Sequence, residues 1–174
     1  MEKLVILPTY NEKENIESIL AAIFGLQQDF HVLVIDDGSP DGTALIVKNL
    51  QVKYPGQLFI EERKGKLGLG TAYIHGFKWA LAKGYQFIFE IDADFSHNPA
   101  DLPRLCDTCK KDGADLAIGS RYVKGGGVIN WPWENKYLAA VFHCVFGSAK
   151  RSGRNGAFDD DGGEAESAHN SISF

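Results

Sequence analysis

The sequence predicts an α/β fold in which helices cover both faces of a mostly parallel sheet. Short apolar runs alternate along the chain with segments whose apolar residues recur at helical spacing. The runs that predict buried strands are residues 4–7, 32–35, 58–60, 87–91 and 116–118. Strands that alternate with helices form parallel sheets, and ligands of such sheets bind beyond the carboxyl ends of the strands.

Helical spacing predicts a helix after each of the first four strands. The first helix covers residues 11–24 and places its isoleucines on one face. The others are expected to begin at a Thr43 cap, after the glycine-containing loop 65–70, and at Pro99. Each helix is long enough to cross over between neighbouring parallel strands.

Composition narrows the class of protein. A chain of 174 residues is long enough for one domain with a substantial core. A net charge of −5 disfavours nonspecific nucleic-acid binding, and three cysteines do not indicate a disulfide framework. We find no signal peptide, and the apolar stretch 137–147 is about half of the roughly 20 residues that span a bilayer. We therefore expect a cytoplasmic protein whose membrane contact is peripheral.

Unusual residues follow three of the predicted strands. The first strand leads into Pro8, Tyr10 and Glu12, the second into Asp36-Asp37, and the fourth into Asp92-Ala93-Asp94. Because the carboxyl ends of parallel strands meet at one end of a sheet, these three segments are expected to converge on a single site.

Asp92 and Asp94 predict a metal site. Residues i and i+2 of an extended chain point the same way, so both carboxylates can face one ligand. Hard cations such as Mg²⁺ and Mn²⁺ take oxygen ligands and bridge protein to phosphate. The alternative is a solvated acidic turn, which the other polar strand ends nearby make less favourable.

Asp37 is predicted to accept hydrogen bonds from a nucleotide, as acidic residues do at this position in other doubly wound sheets. Tyr10 offers a flat ring for a base, and Glu12 a second acceptor. Turn formation and helix capping are the alternative roles; they account best for Asp41, and for Asp36 both roles stay open.

Other residues are weaker candidates for functional roles. Of the basic residues predicted near this end of the sheet, Arg121 is the preferred phosphate ligand over Lys64, Lys66 and Lys124. The glycines of loop 65–70 fit neither the P-loop nor the dinucleotide fingerprint. Cys106 and Cys109 share the core face of a predicted helix, which favours packing over zinc binding.

Six segments together resemble the family 2 glycosyltransferases, and more narrowly the dolichol- and polyprenol-phosphate mannosyltransferases. In sequence order they are PTYNE (8–12), VIDDGSPDGT (34–43), GKLGLGTA (65–72), DADFSH (92–97), IGSRYV (118–123) and NWP (130–132). The resemblance covers about residues 1–133. It implies the GT-A fold, a Rossmann-like α/β architecture.

The resemblance also implies an activity, namely inverting transfer of mannose from GDP-mannose to a dolichyl or polyprenyl phosphate. Arg121 would meet a phosphate, and Asp94 and Arg121 would contribute most to catalysis. Mg²⁺ or Mn²⁺ would lie on Asp92 and Asp94, with Ser96 completing the shell. The acceptor would lie at the cytoplasmic face of a membrane, with a membrane-anchoring subunit as a possible partner. The donor would contact Pro8, Tyr10, Glu12, Ile35, Asp37, Asp92, Ala93, Asp94, Ser96 and Arg121.

The C-terminal part departs from this pattern. We expect a catalytic domain over residues 1–134 and a tail over 135–174 that matches nothing in the family and is disordered from about residue 148. A frameshift or a truncated product would leave the GT-A domain C-terminally incomplete and a poor enzyme. The alternatives are a family 2 transferase for another nucleotide sugar and a donor-binding fragment with little activity. A dinucleotide-dependent oxidoreductase is disfavoured, because no G-x-G-x-x-G follows the first strand.

Overall fold

Seven strands form one sheet among the residues that the computed structural model describes, which are 2–112, 114–119, 143–147 and 171–173. The strands are β1 (Lys3–Thr9), β2 (Phe30–Asp36), β3 (Leu58–Glu62), β4 (Phe87–Glu90), β5 (Leu116–Gly119), β6 (His143–Gly147) and β7 (Ser171–Ser173). They lie in the order β3-β2-β1-β4-β6-β5-β7. Only β6 runs antiparallel to its neighbours among these strands, so the predicted, mostly parallel sheet is confirmed.

Helices cover both faces of the sheet, as predicted. They are α1 (Ile16–Phe24), α2 (Thr43–Leu50), α3 (Leu69–Lys83) and α4 (Leu102–Asp112), the last preceded by a 3₁₀ turn at Pro99–Asp101. Apolar residues of α1, α2 and α4 share one buried cluster, and those of α3 belong to a second cluster. The side chains of residues 4–7 in β1 alternate between the two clusters, which is why this part of the strand is apolar without interruption.

Helix α3 approaches the sheet unusually closely at Gly76. A Cβ atom at this position would lie 2.7 Å from Cγ2 of Ile6, a distance that no real side chain tolerates. Glycine therefore allows the helix to pack directly against β1.

The first helix starts later than predicted. It begins at Ile16, not at Asn11, and Asn11 has a φ of +62°, in the left-handed region that helices exclude. Backbone N–H groups in the intervening turn donate to side chains of the β2–α2 connection, including Asn11 to Ser39 Oγ (3.0 Å) and Glu12 to Thr43 Oγ1 (3.0 Å). These long-range contacts hold residues 11–15 out of the helix, and Thr43 is the first residue of α2, not its cap.

Strands β6 and β7 were not predicted. β6 lies between β4 and β5 and pairs with both, so residues 143–147 belong to the same sheet as the N-terminal strands. β7 extends the sheet beyond β5. Disorder is predicted from about residue 148 to the end of the chain; residues 148–170 lie outside the described residues, whereas Ser171–Ser173 form β7. The division of the chain at residue 134 stays a prediction.

Candidate active site

A cavity of about 250 Å³ opens at the carboxyl ends of the strands. The segments that follow β1, β2 and β4 meet there, together with the loop that leads into α3. Seven of the predicted donor-binding residues lie on its wall, namely Pro8, Tyr10, Glu12, Asp37, Asp92, Ala93 and Asp94. Thr9, Lys66, Gly68, Leu69 and Ala72 complete the lining.

Of the predicted site residues that the structure describes, two do not line this cavity. The side chain of Ile35 is fully buried in the cluster under α3. The Ser96 amide N–H donates to Oδ1 of Asp94 (2.8 Å), so Ser96 lies behind the carboxylate. Arg121 lies outside the described residues, as does Lys124. The roles of these residues remain predictions.

Asp36 is structural, one of the two roles considered from the sequence. The residue is only 1% exposed, and three donors satisfy its carboxylate. Thr9 Oγ1 donates to Oδ1 at 3.0 Å, and the amide and hydroxyl of Ser39 donate at 2.8 and 2.6 Å. Asp41 has the turn role that was expected of it, because its carboxylate accepts from the Lys13 amide and from Thr43.

Asp37 faces the cavity but already has partners within the protein. Arg63 Nε and Nη2 both lie 2.5 Å from its Oδ1, and the Leu67 amide donates to its Oδ2 at 3.0 Å. Asp37 therefore anchors the loop that forms one wall of the cavity. Sequence analysis missed Arg63, although it directly follows β3 at the same end of the sheet.

The loop before α3 lies close to the turn after β2. A Cβ atom at Gly38 would make a tight contact of 3.1 Å with the Gly65 nitrogen, and the φ of +70° at this residue also favours glycine. In the same loop, the ammonium group of Lys66 lies 4.6 Å from the centroid of the Tyr10 ring. Lys66 and Tyr10 thus form a continuous wall of one cation and one aromatic ring.

The second acidic pair, Asp92 and Asp94, has fewer partners. Tyr73 donates its hydroxyl to Asp92 Oδ1 at 3.0 Å. The Asp92 amide donates to Nδ1 of the buried His97 at 3.3 Å, which places that ring behind the motif. Between the acids and His97, Phe95 has a φ of +60°, a conformation that costs energy for a residue of this size.

Negative charge accumulates around this pair. Burial and the neighbouring Asp92 raise the pKa of Tyr73, and burial with the same carboxylate raises the pKa of Glu90 to about 7. No lysine or arginine pairs with Asp92 or Asp94 within the described part of the chain. The electrostatic field at this side of the cavity therefore favours a cation.

The two carboxylates fit Mg²⁺ or Mn²⁺ but do not form a complete cage. Both line the cavity, and among the described residues no group of three or more His, Cys, Asp or Glu side chains could hold a metal. Mg²⁺ is usually held by one or two carboxylates together with waters and substrate phosphates. Cys106 and Cys109 are buried in the core, as expected from their spacing.

An α/β domain that gathers polar strand ends around one cavity has the architecture of a nucleotide-binding protein. The chain belongs to glycosyl transferase family 2, whose family model matches residues 4–166. The match extends beyond residue 133, where the motif resemblance ends. No helix in the described part of the chain is long and apolar enough to cross a membrane.

The names of three relatives describe the transfer of mannose to a lipid phosphate. The chain is 49% identical to the polyprenol monophosphomannose synthase of Mycolicibacterium smegmatis over 136 residues, which is 78% of this chain and 51% of the relative. It is 43% identical to the undecaprenyl-phosphate mannosyltransferase of Micrococcus luteus, covering 80% of this chain and 56% of the relative. It is also 43% identical to the dolichol-phosphate mannosyltransferase of Pyrococcus furiosus, covering 80% and 38%. The chain thus spans about half the length, or less, of these relatives.

Solved structures confirm the GT-A architecture. The S. aureus TarS structure (residues 1–349) superposes with a TM-score of 0.59 at 26% identity, covering 75% of this chain and 39% of TarS. The mannosyltransferase PcManGT from Pyrobaculum calidifontis, solved with GDP-Man and Mn²⁺, superposes with a TM-score of 0.56 at 24% identity. It covers 69% of this chain and 35% of PcManGT, and at this identity the likeness supports the fold alone.

Proposed function

We propose that this chain is the donor-binding part of an enzyme that transfers mannose from GDP-mannose to a polyprenyl or dolichyl phosphate. The observation that carries the proposal is the single cavity that brings Tyr10 and Asp37 together with the Asp92–Asp94 pair. This juxtaposition suits a ligand with a base at one end and a diphosphate at the other. The names of the relatives, at 43–49% identity, supply the sugar and the acceptor.

The two sides of the cavity would contact different parts of the donor. Pro8, Tyr10, Glu12 and Asp37 would contact the nucleoside, and Asp92, Ala93 and Asp94 would lie at the diphosphate. Mg²⁺ or Mn²⁺ on the two acids would neutralise the charge that develops on the departing GDP. Ile35, Ser96 and Arg121 keep the donor-binding roles that the family resemblance implies for them.

The transfer reaction does not require a strong general base from the protein. A phosphate monoester has a second pKa near 6, so the acceptor is already an anionic nucleophile at neutral pH. Its oxygen would attack C1 of mannose while the bond from C1 to the GDP oxygen breaks, which inverts the configuration. The protein therefore contributes chiefly by orienting the donor and by offering a preorganised site for the charged groups.

The acceptor and its surroundings are part of the same proposal. A lipid phosphate is confined to a membrane surface, so the enzyme would work at the cytoplasmic face of a membrane, with a membrane-anchoring subunit as a possible partner. Nucleic acid is not an expected ligand, since the net charge of the chain is −5.

One observation favours a second donor. TarS, at 26% identity and a TM-score of 0.59, has been solved in complex with UDP-GlcNAc. A family 2 transferase that uses a UDP-sugar is therefore the competing hypothesis. The two donors differ in the base, because a carboxylate can accept from both N1–H and N2–H of guanine but from only one N–H of uracil.

Calorimetry with the purified chain tests the proposal. GDP-mannose and UDP-GlcNAc are titrated with Mn²⁺ present and again with excess chelator. We expect GDP-mannose to bind about tenfold more tightly or better, since a second charged hydrogen bond is worth about 1.5–3 kcal/mol. Binding of either donor is expected to weaken with chelator. Equal affinities would refute the guanine assignment, and tighter UDP-GlcNAc binding would favour the second donor.

A further inference from the structure

Arg63 is a buried cation beside the cavity that the proposed reaction does not use. Its side chain is 9% exposed, although it directly follows β3 in a run of charged residues. Its backbone amide donates to the Asp36 carbonyl at 2.7 Å, which fixes the start of the side chain next to the two aspartates. A cation so deeply buried normally requires partners on all sides.

The guanidinium group has such partners in three different segments. Nε and Nη2 both contact Asp37 Oδ1, and Nη2 also donates to the Gly68 carbonyl at 3.2 Å. Nη1 donates to the Thr71 hydroxyl at 2.8 Å. One planar group thus joins the end of β2, the loop before α3 and the first turn of α3.

These contacts determine how Asp37 faces the cavity. Because Arg63 occupies Oδ1, Oδ2 is oriented towards the loop, where it accepts from the Leu67 amide at 3.0 Å. Leu67 lies between Lys66 and Gly68, which both line the cavity. The loop and the carboxylate are therefore held in place by the same interaction.

We propose that Arg63 is a positioning residue for nucleotide selectivity, which fixes the Asp37 carboxylate and the loop wall in the arrangement that receives the base. The inference rests on the proposed function, since it assigns Asp37 to the nucleoside. Arg63 acts through Asp37 and the loop. Preorganisation of this kind raises affinity because the ordering cost is met before the ligand arrives.

The test compares Arg63→Lys and Arg63→Gln with a matched control, Lys48→Gln. Lysine retains the charge but lacks the planar fork, and glutamine removes the charge. Lys48 pairs with Glu62, the residue before Arg63, but both side chains of that pair are 47% exposed and lie away from the cavity lining. Thermal unfolding first establishes that each variant is folded.

Two measurements follow on the folded variants. Calorimetry with Mn²⁺ gives the affinities for GDP and UDP, and hydrogen exchange reports on the Leu67 amide without any ligand. We expect both Arg63 variants to lose about tenfold in GDP affinity and less in UDP affinity, since one charged hydrogen bond to the base is weakened. The Leu67 amide is expected to exchange faster in the same variants, and Lys48→Gln to change neither quantity.

The outcomes separate this inference from the proposed function. If the wild-type chain binds neither nucleotide, the proposed function fails and the role of Arg63 fails with it. If the wild type prefers GDP and the Arg63 variants retain both affinities, Arg63 is merely structural and the proposed function stands. Should the Arg63 variants not fold, Thr71→Val removes one of its contacts more gently, and an unchanged GDP-to-UDP ratio in that variant overturns the inference.

Discussion

The two acidic pairs at the carboxyl end of the sheet share a residue type and a location, yet they are built in opposite ways. Asp36 and Asp37 are almost fully buried, and Thr9, Ser39 and Arg63 are among the groups that satisfy their oxygens. Asp92 and Asp94 have a tyrosine hydroxyl and a backbone amide, but no lysine or arginine within the described part of the chain.

The difference shows how one sheet supports both rigidity and binding. Carboxylates that are paired within the protein stabilise the fold and hold neighbouring loops, whereas carboxylates left without cations can bind one from outside. The pair that ends β2 therefore builds the wall of the cavity, whereas the pair after β4 is proposed to bind a metal ion that would in turn meet the diphosphate. Four substitutions test this contrast.

Asp94→Ala is expected to have the largest effect. It removes one of two carboxylates that face the cavity. Even outer-shell partners of a metal commonly contribute 10–100-fold in affinity, so we expect the Mn²⁺-dependent affinity for GDP-mannose to fall on the order of 100-fold. Calorimetry of GDP-mannose with Mn²⁺ and with chelator measures it. Asp41→Ala is the control, because Asp41 holds a turn outside the cavity. Equal metal dependence in both variants would exclude Asp94 as a ligand.

Asp36→Ala is expected to act on folding. The substitution leaves the Ser39 and Thr9 donors without their buried acceptor. Because hydrogen bonds to charged groups contribute about 1.5–3 kcal/mol each, we expect the free energy of unfolding to fall by about 2 kcal/mol or more. Urea denaturation gives the free energy of unfolding. The exposed Asp29, changed to alanine, should alter stability little. A comparably small loss for Asp36→Ala would show that its hydrogen bonds add nothing net.

Tyr73→Phe removes only the hydroxyl that donates to Asp92. Because this bond orients a predicted metal ligand, we expect about tenfold weaker Mn²⁺-dependent binding of GDP-mannose with the fold intact. Tyr85→Phe is a matched control, since the Tyr85 hydroxyl lies 2.7 Å from His31 Nδ1 at the opposite end of the sheet. If both variants bind like the wild type, Asp92 does not depend on Tyr73.

Glu90→Gln should change the pH dependence of stability. Burial and Asp92 raise the pKa of Glu90 from 4.5 to about 7 in the folded state, so its stabilising contribution is complete below pH 4.5 and is lost as the pH rises through 7. Glutamine does not ionise. The variant should therefore gain stability relative to the wild type between pH 4.5 and 8, by on the order of 1 kcal/mol, because Glu90 is partly exposed and solvent screens its charge.

Urea denaturation at several pH values, in the presence of chelator, measures this difference. The exposed Glu14, changed to glutamine, provides the comparison, and its curve should run parallel to that of the wild type. A Glu90→Gln curve that is also parallel to the wild type would mean that burial and Asp92 together do not raise the pKa of Glu90 in the folded state.

The sequence alone was sufficient to predict the first five strands, because each contains a short apolar run. It also predicted which strand ends meet, since that follows from the parallel order of the sheet. The motif resemblance indicated the family, which the match over residues 4–166 confirms. These conclusions depend on local patterns and on topology.

The same reasoning could not predict contacts between segments that are distant in the sequence. Arg63 stands in the sequence among Glu61, Glu62, Lys64 and Lys66 and looks like one more surface charge, but its partner Asp37 lies 26 residues away. The family resemblance assigned Ile35 to the donor, and sequence pattern did not show that its side chain lies in the core. Its donor role stays a prediction. β6 was missed because its neighbours in the sheet are distant in sequence.

The close contact between Gly76 and Ile6 has a consequence for how substitutions at this site should be interpreted. Helix α3 carries Leu69 and Ala72 on the cavity wall, and Gly76 follows Ala72 by one turn on the same buried face. A methyl group at residue 76 would lie 2.7 Å from the buried Ile6 side chain, so either that side chain or the helix that carries both wall residues would have to shift. A substitution at residue 76 therefore acts on the packing of the helix behind the wall, and a survey restricted to cavity-lining residues would overlook it.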